Sequence, residues 1–254
     1  MSGETVSIRL DGMMVEARRG ESLLVAARRA GRDIPSLCFL EGLPSIGSCR
    51  LCLVEMQEGP RPGVTTSCNI SVEPGLSAVT DSPEIRRHRA VNLELLLLRA
   101  PEAPALRRLA QSMGIAPRLA ALPAQGLPNC ILCELCTRVC DALGHRALAA
   151  AGRGEKKRIG TPFGRVSESC VGCGACTWVC PTGAIFMERD TIARLRARWG
   201  AERPCRYSLM GLMPGTVCEN DYRCANCEVD HRMRRKAGAR HPALLVIEAA
   251  EGRP

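Results

Sequence analysis

Aromatic side chains are scarce in this 254-residue sequence, where three Phe, two Tyr and two Trp make up 3% of the chain. A core built mainly from ring packing is therefore excluded. The apolar fraction of 46% is ordinary for a folded protein and argues against overall disorder. Something other than aromatic packing must organise this chain.

Long hydrophobic runs are also missing. No stretch approaches the ~18 apolar residues of a membrane-spanning helix. The first five residues, Met1 to Thr5, lack the basic start and the apolar run of a secretory signal. We therefore expect a cytoplasmic protein with no membrane span.

Lysine is the third scarcity, since only Lys156, Lys157 and Lys236 contribute to the 35 basic residues. The formal net charge of +9 would ordinarily suggest a nucleic acid or an anionic surface as partner. A metal cluster held by four thiolates carries about −2, so three or four such clusters would lower the net charge to roughly +3 or +1. We therefore attribute the arginines to coding preference and expect no nucleic-acid partner.

Cysteine, in contrast, is abundant, with 16 residues. Disulfides are disfavoured in a reducing compartment, and close Cys-x-x-Cys pairs suit metal binding. The first group is Cys38, Cys49, Cys52 and Cys68. Around it the sequence predicts a hairpin of strands 5–10 and 13–17 joined at Asp11-Gly12, a helix at 21–30, and strands at 51–56 and 76–80. This pattern indicates a small α+β unit with a metal-binding loop.

A repeated motif follows, with its two copies offset by 40 residues. In the spacing C-x2-C-x2-C-x3-C, three thiolates hold one cubane cluster and the fourth reaches the cluster of the other copy. Zinc sites use separated pairs instead. Asp141 stands where the second copy has Pro181. The motif predicts one [4Fe-4S] cluster at Cys130, Cys133, Cys136 and Cys180, and another at Cys170, Cys173, Cys176 and Cys140.

The segment between these groups has helical signals from residue 83 to about 114, interrupted at Pro101 and Pro104, with a second helix at 105–114. Pro117, Pro123 and Gly126 mark its end. We expect an exposed loop at 152–157, a helix at 191–199 and a variable tail from Gly238. The predicted segments are a first domain at 1–81, a helical linker at 82–126, the repeat at 127–190, a four-cysteine segment at 191–237 and a tail at 238–254.

The last cysteine group is Cys205, Cys218, Cys224 and Cys227. A further [4Fe-4S] cluster is favoured because cluster ligands would then account for all 16 cysteines, while tetrahedral zinc and free thiols stay open as alternatives. The basic run that follows, Arg232, Arg234, Arg235 and Lys236, is either a solvated face or a site for an acidic partner.

The first group resembles the plant-type [2Fe-2S] ferredoxin domain, which implies a [2Fe-2S] cluster at Cys38, Cys49, Cys52 and Cys68. The segments 34–38, 47–55, 67–68 and 73–75 are similar to the large iron-sulfur subunit family of respiratory complex I and to the diaphorase subunits of hydrogenases and formate dehydrogenases. The similarity continues through 89–96 and both repeats, over about residues 5–190. Many members carry another cluster held by one His and three Cys. Because no cysteine lies between Cys68 and Cys130, we expect that cluster to be absent and His88 to be an ordinary helix histidine.

The resemblance implies an α+β architecture, in which a plant-type ferredoxin (β-grasp) domain precedes a helical linker, a bacterial two-cluster ferredoxin-like domain and a small cysteine-rich C-terminal segment. It also implies an electron-transfer subunit between a flavin-containing, NAD(P)H-oxidising subunit and a second catalytic redox subunit. The alternatives are a free polyferredoxin carrier and a cluster- or zinc-containing nucleic-acid regulator. No G-x-G-x-x-G follows a predicted strand. We expect no catalytic residue, and His145, His231 and His241 are interpreted as surface or packing residues.

Overall fold

The computed structural model describes residues 4–116, 126–185 and 189–250, without the side chains of 189–192, 194 and 248–250. The chain divides into two compact units. One comprises Met1–Phe39 with Ser45–Ala124, and the other Leu40–Pro44 with Gln125–Pro254. Within the described residues, no helix is long and apolar enough to cross a membrane.

The first unit begins with the predicted hairpin, formed by β1 (Thr5–Leu10) and β2 (Met13–Arg18). Alternate residues of β1 point into the core. Asp11 and Gly12 both have positive φ, as the tight hairpin turn requires. The Asp11 carboxylate accepts hydrogen bonds from the backbone N and the Oγ1 of Thr80, at 2.6 and 2.8 Å, which fastens the turn to a distant segment.

The sheet has five strands, completed by β3 (Leu53–Glu58), β4 (Gly63–Thr66) and β5 (Ser77–Val79) in the order β2-β1-β5-β3-β4. The β1–β5 pair is parallel, and the other pairs are antiparallel. Helix α1 (Leu23–Arg29) buries its leucines and alanines in one hydrocarbon core with this sheet. The predicted helix and strands are confirmed with shifted ends, whereas β4 was not predicted because its four residues are too few for an alternating pattern.

The predicted helical pair consists of α2 (Pro83–Arg99) and α3 (Pro104–Ser112). The Oγ of Ser82 accepts a hydrogen bond from the backbone N of Ile85 at 3.2 Å and so caps α2. Buried Arg89 donates to the carbonyl oxygens of Leu53 and Thr80, at 2.7 and 2.8 Å, which ties α2 to the sheet. The predicted end of the linker at Pro117 and Pro123 lies outside the described residues.

The second unit contains the repeat, whose copies supply α4 (Leu135–Ala142) and α5 (Ala175–Val179). Between them lies a two-stranded sheet of β6 (Ala149–Ala151) and β7 (Arg158–Gly160). The predicted loop at 152–157 connects these strands and is exposed up to Lys156. The strands themselves were not predicted, since three consecutive alanines carry no alternation of apolar and polar residues.

The C-terminal part forms α6 (Arg189–Trp199), α7 (Arg206–Leu209), α8 (Glu228–Ala237) and α9 (Leu244–Ala250). The helix expected at 191–199 is confirmed. The segment expected as a variable tail from Gly238 includes α9, and its residues His241, Ala243 and Leu244 are buried. Its short apolar run had no helical periodicity to indicate this packing.

Candidate metal centres

The first four thiols converge at one edge of the sheet unit. Cys38, Cys49 and Cys52 lie in the long connection from α1 to β3, and Cys68 lies in the single turn Ser67–Asn69 after β4. All four are at most 4% exposed. Because β3 and β4 pair in register from Leu53 opposite Thr66, the chain brings Cys52 and Cys68 to the same end of this hairpin.

These thiols are arranged as two pairs. The side chain of Cys38 hydrogen-bonds that of Cys49, and the side chain of Cys52 hydrogen-bonds that of Cys68. In each pair the contact lowers the pKa of one thiol, Cys49 or Cys68, and raises that of its partner. Two adjacent thiolates repel unless a cation lies between them. A pair of thiols for each of two metal ions is the donor set that a [2Fe-2S] core takes.

Backbone amides point at the same sulfurs. The N–H groups of Leu37 and Cys49 donate to the Sγ atoms of Cys49 and Cys38, each at 3.4 Å. The N–H of Gly47 lowers the pKa of Cys68. Gly47 has φ +58°, and a Cβ there would lie 2.7 Å from the Nδ2 of Asn69. The positive φ favours glycine at this point of the loop, and a Cβ would in addition force the Asn69 side chain to move.

In the repeat, each thiol set draws members from both copies. Burial raises the pKa of Cys136, and the nearby charges of Cys133, Cys180, Cys130 and Cys176 raise it further. Cys180 belongs to the other copy, 40 residues beyond Cys140. Thiols of both copies therefore influence Cys136, and the crossed ligand set stays a prediction.

The reciprocal set has the same arrangement. Burial raises the pKa of Cys173 to about 11, with contributions from Cys176, Cys140 and Cys170. The amide of Ala147 donates to the Sγ of Cys140 at 3.3 Å and orients it. A cavity of about 200 Å³ lies among these thiols, and its lining also includes His145. The four sulfur donors and this volume fit a cubane cluster.

The two copies differ in the residue after their last cysteine, which is Asp141 in the first and Pro181 in the second, and their helices differ in length. Helix α4 continues through Cys140 to Ala142, whereas α5 ends at Val179 because Pro181 disfavours a helical conformation at Cys180. Asp141 forms an exposed ion pair with Arg146 at 2.8 Å.

The C-terminal thiols also come together. Cys205 and Cys218 lie on facing extended segments, where the N of Cys205 donates to the O of Thr216 at 2.7 Å and the N of Cys218 donates to the O of Arg203 at 2.8 Å. Cys224 and Cys227 flank a single turn at the start of α8. The thiols interact through charge: burial raises the pKa of Cys205, and Cys218 and Cys227 add to the rise. A cavity of about 20 Å³ is lined by all four.

A network of polar side chains surrounds this last site, and sequence reasoning missed it. Burial raises the pKa of Cys224, while the charge and the hydrogen bond of Arg206 partly offset that rise. Asp230 is 1% exposed and accepts from Tyr207 Oη at 2.6 Å and from Arg234 Nε at 2.5 Å. Only the position of Arg206 directly after Cys205 hinted at this network.

The histidines occupy the structural positions expected of them. His88 is exposed on α2, 3.5 Å from Glu84, and His231 is exposed with its Nε2 2.8 Å from the carbonyl O of Ala225. Desolvation lowers the pKa of partly buried His145. His241 is buried 6.1 Å from the Trp178 ring, and burial lowers its pKa to about 4. His241 is therefore a neutral packing residue at neutral pH.

Family comparisons agree with this geometry. Residues 3–83 match a 2Fe-2S iron-sulfur cluster binding domain. Residues 129–184 match a 4Fe-4S dicluster domain. The class of protein is thus an iron-sulfur protein with a [2Fe-2S] domain followed by a dicluster domain.

Individual relatives give the family. The chain is 32% identical over 204 residues to the NADPH-Fe(3+) oxidoreductase subunit alpha of Geobacter sulfurreducens (strain DL-1 / KN400), covering 71% of this chain and 24% of that protein. It is 28% identical over 205 residues to the mitochondrial NADH dehydrogenase (ubiquinone) iron-sulfur protein 1 of Solanum tuberosum, covering 72% and 27%. The chain thus spans about a quarter of the length of these curated relatives.

The match to a solved structure spans a larger share of the matched chain. A chain of an NAD+-reducing [NiFe]-hydrogenase, crystallised in the H2-reduced state, matches with a TM-score of 0.57 and 30% identity over 62% of this chain and 75% of that chain. The protein belongs to the large iron-sulfur subunit family of respiratory complex I and the related NAD(P)-linked oxidoreductases.

Proposed function

We propose that this chain is the iron-sulfur electron-transfer subunit of a multisubunit oxidoreductase. It relays electrons between a flavin-containing, NAD(P)H-oxidising subunit and a second catalytic subunit of hydrogenase, formate dehydrogenase or electron-bifurcating type. The observation that carries this proposal is the set of converging thiols, paired in the first unit and crossed between the copies in the second. The cytoplasmic location stays a prediction.

We propose one set of four cysteine ligands for each of three clusters. Iron-sulfur clusters supply one-electron carriers, whose potentials depend on charge, hydrogen bonds to sulfur and burial. The chain contributes the thiolates, the amides that donate hydrogen bonds to them, and the surrounding residues that exclude water. The sets are Cys38, Cys49, Cys52 and Cys68 for a [2Fe-2S] cluster; Cys130, Cys133, Cys136 and Cys180 for one [4Fe-4S] cluster; and Cys170, Cys173, Cys176 and Cys140 for another.

For Cys205, Cys218, Cys224 and Cys227 we propose a third [4Fe-4S] cluster. Tetrahedral zinc holds its thiolates at about 2.3 Å, which brings the sulfurs nearly into contact. A cluster here would make all 16 cysteines cluster ligands, since the other three proposed sets take twelve of them.

The small volume of the C-terminal cavity favours zinc, because 20 Å³ is room for little more than one water molecule. A groove of about 430 Å³ adjoins it, and Cys224, Arg206 and Tyr222 line both spaces. Zinc is the alternative that metal analysis must exclude.

Metal analysis of anaerobically purified protein tests the count. Three clusters require about 10 irons per chain, and a further cubane raises this to about 14. The double variant Cys224→Ser with Cys227→Ser should lose about four irons and no zinc. A variant that keeps its iron and loses one zinc ion would make the C-terminal site a structural zinc clip.

The crossed assignment has its own test. Cys180→Ser should remove the spectroscopic signal of the cluster at Cys130, Cys133 and Cys136 and leave the other cubane in place. Cys140→Ser is the matched control and should have the reciprocal effect. Loss confined to the mutated residue's own copy would contradict the crossed pairing.

Anaerobic co-purification tests the subunit role. A fixed subunit should elute with a flavin-containing partner and a second redox subunit, whereas a free polyferredoxin carrier should elute alone. Salt-sensitive retention on DNA or RNA, without redox partners, would instead support the regulatory alternative.

We also propose the domain division 1–81, 82–126, 127–190, 191–237 and 238–254. The last two segments pack together in the described residues: Arg206 and Arg234, from the four-cysteine segment, are charged neighbours that lower the pKa of His241 in addition to the effect of burial. Limited proteolysis of the holoprotein, with the fragment ends identified, tests these boundaries.

A further inference from the structure

The second thiol set of the repeat has a polar neighbour that lacks a bonding partner. The cavity of about 200 Å³ among Cys140, Cys170, Cys173 and Cys176 is also lined by His145. The Nε2 atom of His145 is buried, and no atom of the described residues hydrogen-bonds it. A buried ring nitrogen without a partner destabilises the fold, so a histidine that served for packing alone would be unfavourable here. A group that occupies the cavity would supply the missing partner.

The end of α4 determines where His145 lies. This helix ends in a Schellman motif, in which the N of Gly144 donates to the O of Asp141 at 2.8 Å and the N of His145 donates to the O of Cys140 at 3.0 Å. Gly144 has φ +77°, the left-handed conformation that the motif requires after the helix. In this motif the residue at the position of His145 commonly packs against the residue at the position of Cys140. The helix end therefore brings the ring beside a proposed cluster ligand.

The turn that follows holds the same cysteine. The N of Arg146 donates to the O of Cys140 at 3.2 Å, and the N of Ala147 donates to its Sγ at 3.3 Å. Three consecutive amides, those of residues 145–147, thus donate to Cys140. The position of His145 relative to this sulfur is therefore fixed by main-chain hydrogen bonds.

The second copy of the repeat has no equivalent donor. The residue 40 positions beyond His145 is Ile185, whose side chain has no polar atom. Among the described residues that line the cavity, only His145 and Thr161 have a polar side chain besides the thiols. A hydrogen bond in such apolar surroundings is electrostatically stronger than one in water. The effect of His145 on an occupant of the cavity is therefore large.

The chemistry of the occupant decides what the ring does. Thiolate and sulfide sulfurs carry negative charge and no proton, so they accept hydrogen bonds and do not donate them. A neutral imidazole has its proton on one of two nitrogens, and an acceptor beside Nε2 selects the form that carries the proton there. A protonated imidazole would donate from Nε2 as well. His145 is therefore a donor toward sulfur in either state.

We propose that His145 donates a hydrogen bond from Nε2 to a sulfur of the cluster held by Cys140, Cys170, Cys173 and Cys176, and that this bond raises the reduction potential of the cluster. A hydrogen bond at sulfur stabilises the reduced, more negative form more than the oxidised form. His145 would thus set how readily one centre of the relay accepts an electron. This inference rests on the cluster proposed at these four cysteines.

The test is an anaerobic redox titration of the full chain, followed by electron paramagnetic resonance. The signal that Cys140→Ser removes and Cys180→Ser leaves identifies the cluster. We expect its potential to fall in His145→Leu, which fills a comparable space without a donor. His145→Gln keeps an N–H donor and should retain most of the original potential. The potential of the other cubane should not change in either variant.

Ile185→Val is the matched control, because it alters the packing of the same cavity and removes no hydrogen bond. It should leave the potential unchanged. An unchanged potential in His145→Leu, equal falls in His145→Leu and His145→Gln, or a fall of the same size in Ile185→Val would each overturn the proposal.

Pulsed electron paramagnetic resonance tests the bond in the unmodified chain and so does not depend on the folding of a variant. Histidine enriched in the heavy nitrogen isotope should give a nitrogen coupling on the signal of this cluster. The coupling should disappear in labelled His145→Gln and persist in His231→Gln, which changes an exposed histidine. A signal without a coupling that depends on His145 would contradict the bond.

Iron content, measured on every variant, separates the two ways of failing. An unchanged iron content in His145→Leu with an unshifted potential would contradict the role of His145 alone. If the unmodified protein lacked the signal that Cys140→Ser is expected to remove, the proposed cluster itself would be wrong.

Discussion

The first and the last four-cysteine groups are supported by different kinds of interior. The N-terminal thiols belong to or adjoin a core cluster whose 15 other buried residues are apolar, including Leu10, Leu23 and Leu24, and buried Arg89 donates to backbone carbonyl oxygens beside it. The C-terminal thiols adjoin a buried carboxylate, Asp230, bonded to a tyrosine and two arginines. A hydrocarbon core is stable without a metal, whereas a polar network depends on exact placement of its members.

The two copies of the repeat show a smaller contrast. They share their cysteine spacing, yet one helix continues past its last cysteine and the other ends just before it. The difference comes from the single residue that follows, Asp141 or Pro181. Equal ligand spacing therefore does not require equal local structure.

The largest expected effect is that of iron removal. Chelation should abolish hydrogen-exchange protection in residues 204–237, because the metal proposed there would be the main crosslink of a segment with few buried apolar side chains. Strands β1 and β2 should keep much of their protection, since their core is hydrocarbon. The measurement is mass spectrometry of peptides. Equal loss of protection in residues 204–237 and in the two strands would contradict the contrast between the two interiors.

Asp230→Ala should destabilise the C-terminal segment by about 3–5 kcal/mol, because it leaves the poorly exposed Arg206 without its carboxylate. The measurement is urea-dependent hydrogen exchange of the holoprotein. Glu228→Ala is the matched control on the same helix. Its ion pair with Arg235 is exposed and screened by water, so we expect no measurable loss. Similar losses for both variants would show that burial of Asp230 is irrelevant.

Gly47→Ala should impair assembly of the N-terminal cluster. Alanine at this positive φ costs about 1–2 kcal/mol, and the Cβ also collides with Asn69 beside Cys68. We expect about two fewer irons and loss of the [2Fe-2S] absorption bands. Gly12→Ala has a positive φ but open space, so it should lose stability and retain its iron. Iron retained in both variants would refute the steric argument.

Pro181→Ala has the smallest expected effect, a loss of about 0.4–1 kcal/mol, because alanine gives the unfolded chain more freedom. It should also permit α5 to extend toward the length of α4. Hydrogen exchange at residues 181–183 reports the extension. Unchanged exchange there would show that the thiol set, and not proline, ends α5.

The sequence predicted the hairpin, α1, both linker helices and the thiol groups, since these depend on local signals such as Asp11-Gly12 and the spacing of cysteines. It did not predict β4, β6 or β7, because three or four residues carry too little periodicity. It also missed α9, because the apolar run is too short to predict a helix and the burial of His241 and Ala243 beside it depends on tertiary packing.

Amino-acid order by itself thus determined the class of cofactor, because the number and spacing of thiols restrict the metal cores that a chain can hold. Tertiary structure decided which groups surround those thiols. Arg206 is adjacent to Cys205 in sequence but bonds Cys224, and it is held there by Asp230 from another helix. Such an arrangement depends on how distant segments pack, and no local pattern encodes the electrostatic field that results.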